Sequence, residues 1–353
     1  MLDQQDTIHA VEADFDTIFS WDYERSRGSL VKLYEKAKTS QWNASTDLDW
    51  SIDVDPEKIG RELGGGGTMR FQALQDAEDS PVKHFGEKEW RQVSVEIQNS
   101  LLSQFMHGEQ GALMAAARIV QTAPDLDAKF YAATQVMDEA RHVEAYARLL
   151  NEKLGIAYPI TPGLKSLLET VLTDRRWDMT YLGMQILIEG LALAAFQRIR
   201  DFAKNQLAAS VNAYVMQDEA RHVAFGRLAL RDLYPQLTDA ERSEREEFVV
   251  EACYQMRDRF NQKELWEKLG LPVQDAVDAA MSSENMRLFR KRLFSRIVPT
   301  VKDIGLWGPG VQKAFVDMGA IEFADIDSAA VLEQDQKVAE QFDARRFVQE
   351  SIA

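Results

Sequence analysis

Six consecutive residues, Asp138-Glu139-Ala140-Arg141-His142-Val143, recur unchanged as Asp218-Glu219-Ala220-Arg221-His222-Val223, eighty positions further along the chain. The same offset places Glu109 on Glu189, Ala112 on Ala192, Arg118 on Arg198 and Ile119 on Ile199. The duplication therefore spans a whole helical hairpin and not a six-residue word. Two of the five histidines occupy equivalent places in the two copies.

From about Glu89 to Tyr234 apolar residues recur at intervals of three and four, which predicts four long helices near 90–120, 126–154, 175–203 and 207–233. Pro124 marks the first hairpin turn. The tail continues helical, with a capping signal at Thr238-Asp239-Ala240-Glu241 and further helices near 273–298 and 330–350. No stretch shows the period-two alternation of a sheet, so the expected fold class is all-α. Residues 1–89, less regular in composition, form an N-terminal extension packing on the bundle. Residues 90–234 are the bundle and 235–353 a C-terminal helical extension. The tetraglycine at Gly64–Gly67 lacks the Lys-Ser/Thr of a phosphate loop and reads as a flexible break.

Counting along the helices gives the chemistry. Glu139 and His142 are three apart and project from one helix face. Glu109 lies thirty residues before Glu139, and their midpoint is Pro124, so folding at the turn brings the two level. Glu189 and Glu219 repeat the arithmetic about Lys204. Two hairpins packed as a four-helix bundle focus four carboxylates and two imidazoles at one level of the core. Four bare carboxylates cannot share such a core, because desolvation and mutual repulsion oppose their ionisation. Two divalent cations balance them, and an oxygen–imidazole donor set without thiolate suits iron or manganese. One Glu-x-x-His alone is ordinarily a solvated surface pair; two in register, each with an upstream Glu on an apolar face, point to metal. Arg141 and Arg221 fall off that face and are expected to pair with Asp138 or Asp218.

On these residues the chain resembles the ferritin-like di-iron carboxylate family, which holds bacterial multicomponent monooxygenase hydroxylases, acyl-carrier-protein desaturases and ribonucleotide reductase small subunits. The resemblance covers roughly 90–234 and implies a ferritin-like four-helix bundle with extra N- and C-terminal helices. It implies Glu109, Glu139, His142, Glu189, Glu219 and His222 as metal ligands. It also implies that Asp138 orients His222 and Asp218 orients His142 across the hairpins. The cofactor would be two iron ions, or manganese or a mixed Mn/Fe pair, with O2 as co-substrate. Tyr146 lies one turn after His142, where reductase subunits place a radical tyrosine. Two departures stand out: Glu109 sits where the reductases carry Asp, and Leu193 sits where the monooxygenases carry Thr.

The repeat is broken where Tyr146 faces Gly226. Gly226, with Gly108 and Gly111 beside Glu109, predicts space for a pocket, with Phe105 in its apolar wall and Gln185 adding a polar contact. The expected function is an O2-activating oxygenase or oxidase acting on a small organic molecule by hydroxylation, N-oxygenation or desaturation. Alternatives are a radical-generating reductase-like subunit and a non-catalytic ferritin-like iron-handling protein. A single cysteine, Cys253, and no Rossmann or flavin glycine pattern imply an external electron donor, a ferredoxin or reductase. With 57 acidic against 41 basic residues and a formal charge of −16, a general nucleic-acid binder is not expected. The lone cysteine and the acidic N-terminus predict a cytoplasmic protein. No run of about 18 apolar residues predicts a membrane span. The terminal additions offer a surface for a homodimer.

Overall fold

The structure, a computed structural model, describes residues 8–63, 72–76, 78, 80–282 and 284–350 of the chain; the tetraglycine lies outside these residues. The elements that position the site are α1 (Gly28–Thr39), α2 (Pro56–Leu63), α3 (Glu87–Thr122), α4 (Leu126–Arg148), α5 (Pro162–Thr173), α6 (Trp177–Phe202), α7 (Gln206–Leu233) and α8 (Asp239–Asp258). Shorter helices and Ser328–Glu350 follow, and no strand occurs among the described residues. Helices α3 and α4 pair as one hairpin and α6 and α7 as the other.

Local chemistry sets both hairpins. Helix α3 stops at Ala123, whose extended backbone (ψ 137°) suits a residue before proline. Asp125 caps α4 by accepting from the Ala128 amide at 2.8 Å, and Asn205 caps α7 by accepting from Ala208 at 3.1 Å. The two caps stand eighty positions apart, so the duplication includes the turns. Along α3 the buried Phe105, Glu109, Ala112, Ala116 and Ile119 step by three and four. The capping signal before α8 forms as read: Thr238 Oγ1 accepts from Glu241 N, and the Glu241 carboxylate accepts from Thr238 N at 2.9 Å.

Helix α6 is not uniformly α-helical. Leu182–Ile188 form a π-helical turn, and the Glu189 amide donates to Met184 O, five residues back. By length and composition α6 could cross a membrane, with mean hydropathy 1.5, which corrects the reading that the chain holds no such stretch. Some 89% of that window is buried inside the protein, so its apolar character is accounted for by packing at the bundle centre. The continuous helix expected near 273–298 is another correction. Val273–Met281 ends where the Ser282 hydroxyl turns back to Ala279 O at 2.9 Å, and Glu284–Arg292 begins anew.

The main apolar core joins Leu30, Trp42 and Leu48 to the bundle and to Val249, Met256, Ile297 and Leu332, and a second, smaller one joins Leu74, Trp90 and Tyr158 to Trp266 and Ala276. Ser328–Glu350 packs along α7.

The space expected at Gly226 is already taken. A Cβ there would lie 2.6 Å from Gln185 Cβ and 3.1 Å from Ile186 Cδ1. In the equivalent place of the other hairpin Phe105 packs on Tyr146, with ring centroids 6.3 Å apart. Gly226 thus lets the π-helical turn press inward and is not a pocket wall. Gly111 is likewise filled, by Leu168, whereas a Cβ on Gly108 would meet nothing within 4 Å. Two substitutions should then move thermal stability in opposite senses. Gly226→Ala is expected to cost about 1–3 kcal/mol through overpacking. Gly108→Ala is expected to be neutral or to stabilise by up to about 1 kcal/mol. Denaturant melts of both variants check the pair.

Candidate metal centre

The bundle brings Glu109 (α3), Glu139 and His142 (α4), Glu189 (α6), and Glu219 and His222 (α7) to one level, none more than 5% exposed. Donor atoms of Glu109, Glu139, His142 and Glu219 all lie within 4.8 Å of one another, and so do those of Glu139, Glu189 and His222. Glu139 belongs to both groups.

Each imidazole shows Nδ1 to the carboxylates and Nε2 to an aspartate of the opposite hairpin. His142 Nδ1 lies 3.1 Å from Glu109, 3.3 Å from Glu139 and 3.3 Å from Glu219, while Nε2 lies 3.1 Å from Asp218. His222 Nδ1 lies 3.1 Å from Glu139, and its Nε2 3.2 Å from Asp138. Arg141 pairs with Asp138 on its own helix and reaches Asp218 at 3.3 Å; Arg221 pairs with Asp218. These buried contacts tie up the aspartates and leave the glutamates facing inward.

Three polar side chains outside the expected ligand and pocket residues complete the surroundings. Gln135 Nε2 donates to Glu189 at 2.8 Å and to Glu139 at 3.1 Å. Trp42 Nε1 donates to Asp218 at 2.7 Å, and Gln41 Nε2 to Asp138 at 3.0 Å. Gln135 precedes Glu139 by one helical turn and was findable from that spacing; its counterpart in the repeat is Val215, so matching the copies passes over it. Gln41 and Trp42 carry no signal of proximity in the sequence.

The pocket residues fare unequally. A cleft of about 20 Å³ opens on the cluster between Phe105, Gly108, Ala112, Ile188, Ala192 and Phe196, with Glu109, Glu189 and Glu219 at its floor. Phe105 lines it. Gln185 does not: its amide faces Gln135 Oε1 at 3.4 Å. Leu193 is wholly buried in the core, and the Tyr146 hydroxyl donates to Asn212 at 2.9 Å. Of the other histidines, His107 bonds Tyr158 O at 2.8 Å and His9 meets Glu169.

The protein atoms alone do not satisfy this cluster. Glu139 Oε2, Glu189 Oε2, both oxygens of Glu219 and His222 Nδ1 are buried without a hydrogen-bond partner, an arrangement costly unless a cation engages them. Burial, then repulsion from Glu219, holds the Glu109 carboxyl well above the usual range, and the same two causes raise Glu189. Burial also opposes ionisation of Glu139, but the charge of His222 and the closeness of both imidazoles outweigh it, and its pKa falls. Burial works against the imidazolium of His142 and His222. Asp218 and the glutamates around His142, and Glu139 and Asp138 beside His222, overcome it and raise both well above the ordinary value. Protons thus occupy groups that two divalent ions suit, and the donor set fits such ions.

The model of a family described as p-aminobenzoate N-oxygenase AurF matches residues 24–305. Among solved structures, an R2-like ligand-binding oxidase with an aerobically reconstituted metal cofactor after photoconversion is similar at a TM-score of 0.52 and 17% identity, over 81% of this chain and 96% of that one. A variant of the R2-like ligand-binding oxidase with an anaerobically reconstituted Mn/Fe cofactor gives 0.50 and 18% over 81% and 96%. These two likenesses concern the fold. No curated protein matches.

Burial and mutual repulsion make Glu109 and Glu189 bind protons more readily than free carboxyls, and the surrounding carboxylates do the same for His142 and His222, so cations compete with protons for these groups. Anaerobic Fe²⁺ titration of metal-free protein should release protons as the ions bind, with apparent affinity rising with pH. Indicator-dye absorbance reads the release, and binding without it would contradict the electrostatics.

Proposed function

The chain belongs to the p-aminobenzoate N-oxygenase AurF family, a non-haem metal oxidoreductase lineage, and on that premise we propose that it N-oxygenates a small arylamine. The observation that carries the reading is the buried four-glutamate, two-histidine cluster at the floor of an apolar cleft. Glu109, Glu139, His142, Glu189, Glu219 and His222 would hold two iron ions, or a mixed Mn/Fe pair. When bound, such a pair supplies O2 activation and two-electron oxidation.

The rest is work for the chain's own residues. Asp138 and Asp218 fix the ring planes of His222 and His142 and turn Nδ1 inward. Gln135 restrains Glu139 and Glu189 from one side. Phe105, Ile188 and Phe196 wall the cleft with apolar surface over the glutamates, and its volume of about 20 Å³ admits an amine group ahead of the ring that carries it. Forming a hydroxylamine consumes the amine, O2, two electrons and two protons, and leaves one oxygen on nitrogen and the other in water. The electrons come from a separate ferredoxin or reductase, since one cysteine cannot hold a cluster. A reducing cytoplasm suits such a donor.

Iron-loaded protein supplied with 4-aminobenzoate, a reductant and ¹⁸O2 should give a product carrying ¹⁸O on nitrogen by mass spectrometry. Asp218→Asn should lower the rate or the metal affinity by about 10–100-fold. Iron oxidation with no N–O product from a panel of arylamines would overturn the reading in favour of iron handling.

A further inference from the structure

We infer that Gln135, held in place by Gln185, is a positioning residue that makes the two metal positions of the cluster unequal. Its amide engages one oxygen each of Glu139 and Glu189, so the ion beside Glu139, Glu189 and His222 is bound less tightly and loads second. The inference rests on the reading of the cluster as a two-metal centre, and it concerns residues that the duplicated motif does not contain.

Hydrogen-bond chemistry fixes which way the Gln135 amide faces. An ionised carboxylate only accepts, so the group 2.8 Å from Glu189 Oε1 and 3.1 Å from Glu139 Oε1 is the NH2. The carbonyl oxygen of Gln135 then accepts from Gln185 Nε2 at 3.4 Å. Gln185 stands close enough because its π-helical turn presses on Gly226, where a Cβ would lie 2.6 Å from Gln185 Cβ. Both glutamines are wholly buried, so solvent does not compete for these bonds. Donation runs one way, from Gln185 to Gln135 to the two glutamates.

The consequence falls on particular oxygens. Glu139 turns Oε1 toward His222 Nδ1 at 3.1 Å and Oε2 toward His142 Nδ1 at 3.3 Å. The amide engages Oε1, whereas Oε2 is buried without a hydrogen-bond partner. Glu189 likewise gives Oε1 to the amide and keeps only Oε2 unpartnered. On the other side both oxygens of Glu219 are unpartnered, and Glu109 Oε2 meets only His142, at 3.1 Å. A carboxylate oxygen that accepts a charge-assisted hydrogen bond has less electron density to give a metal ion. The ligand count acts in the same direction. Three glutamates and His142 surround one position, but two glutamates and His222 the other. The duplication offers no balancing amide, because the residue equivalent to Gln135 is the buried Val215.

Anaerobic calorimetric titration of the metal-free protein with Fe²⁺ tests this without any turnover. Wild type should take up two ions in two steps whose affinities differ by at least about tenfold. Gln135→Met keeps the length of the side chain and removes the donor. It should tighten the second step to within about threefold of the first and leave the first unchanged. A variant that merely loosened the bundle would weaken both steps, so tightening is the sign that separates the two causes. Gln185→Met, which touches neither glutamate, gives an independent route: the Gln135 amide loses its anchor and the gap should narrow partway. Equal steps in wild type, a gap that survives Gln135→Met, or a second step weakened by that change would each overturn the assignment. Two equal ions would leave the metal centre standing and remove only the inequality, whereas no Fe²⁺ uptake would overturn both.

Discussion

Everything in the centre of this molecule answers to one requirement: six carboxylates buried at one level of a helical bundle have to be neutralised. Two of them, Asp138 and Asp218, meet that requirement from within, through Arg141 and Arg221 on the same helices. The four glutamates have no such partners, and several of their oxygens bond to nothing. Leaving bare carboxylates in that state costs several kcal/mol each, so the bundle is stable only with protons or cations supplied from outside. Two divalent ions would bring the interior to neutrality, with the unpaired glutamate oxygens available to hold them.

Much of this was legible in the chain. The duplicated Asp-Glu-Ala-Arg-His-Val and the thirty-residue interval about Pro124 located all four helices and brought the six side chains to one level. Even the caps, Asp125 and Asn205, obey the offset. Such features are legible because helical geometry converts sequence spacing directly into position on a face. Where distant segments meet, spacing says nothing. Gln41 and Trp42 reach the two aspartates from about 97 and 176 residues away, and only the folded chain shows it.

Gly226 illustrates a subtler failure. A missing side chain beside a cluster reads as room, but the vacancy in one helix is filled by the bulge of its neighbour. The π-helical turn carries no periodic signature, since its extra residue is a local insertion in an otherwise ordinary pattern. Comparison of the two hairpins explains the exchange: Phe105 against Tyr146 in one, Gln185 against Gly226 in the other. The large ring stays on the side of the open cleft, and the amide on the closed side joins Gln135. A symmetric duplication has become a site with a front and a back.

The turn at Leu182–Ile188 has a further consequence for how such a chain changes over time. A π turn holds one more residue than the α turn it stands in for, and Glu189 begins the regular helix immediately after it. Loss of a single residue within 182–188 would tighten the turn to α geometry and leave Trp177–Tyr181 facing as it does now. Glu189–Phe202 would keep its register against Gln206–Leu233. The helix thus carries a spare position upstream of its ligand, a slack link that can take up or give back one residue while the glutamate stays where it is.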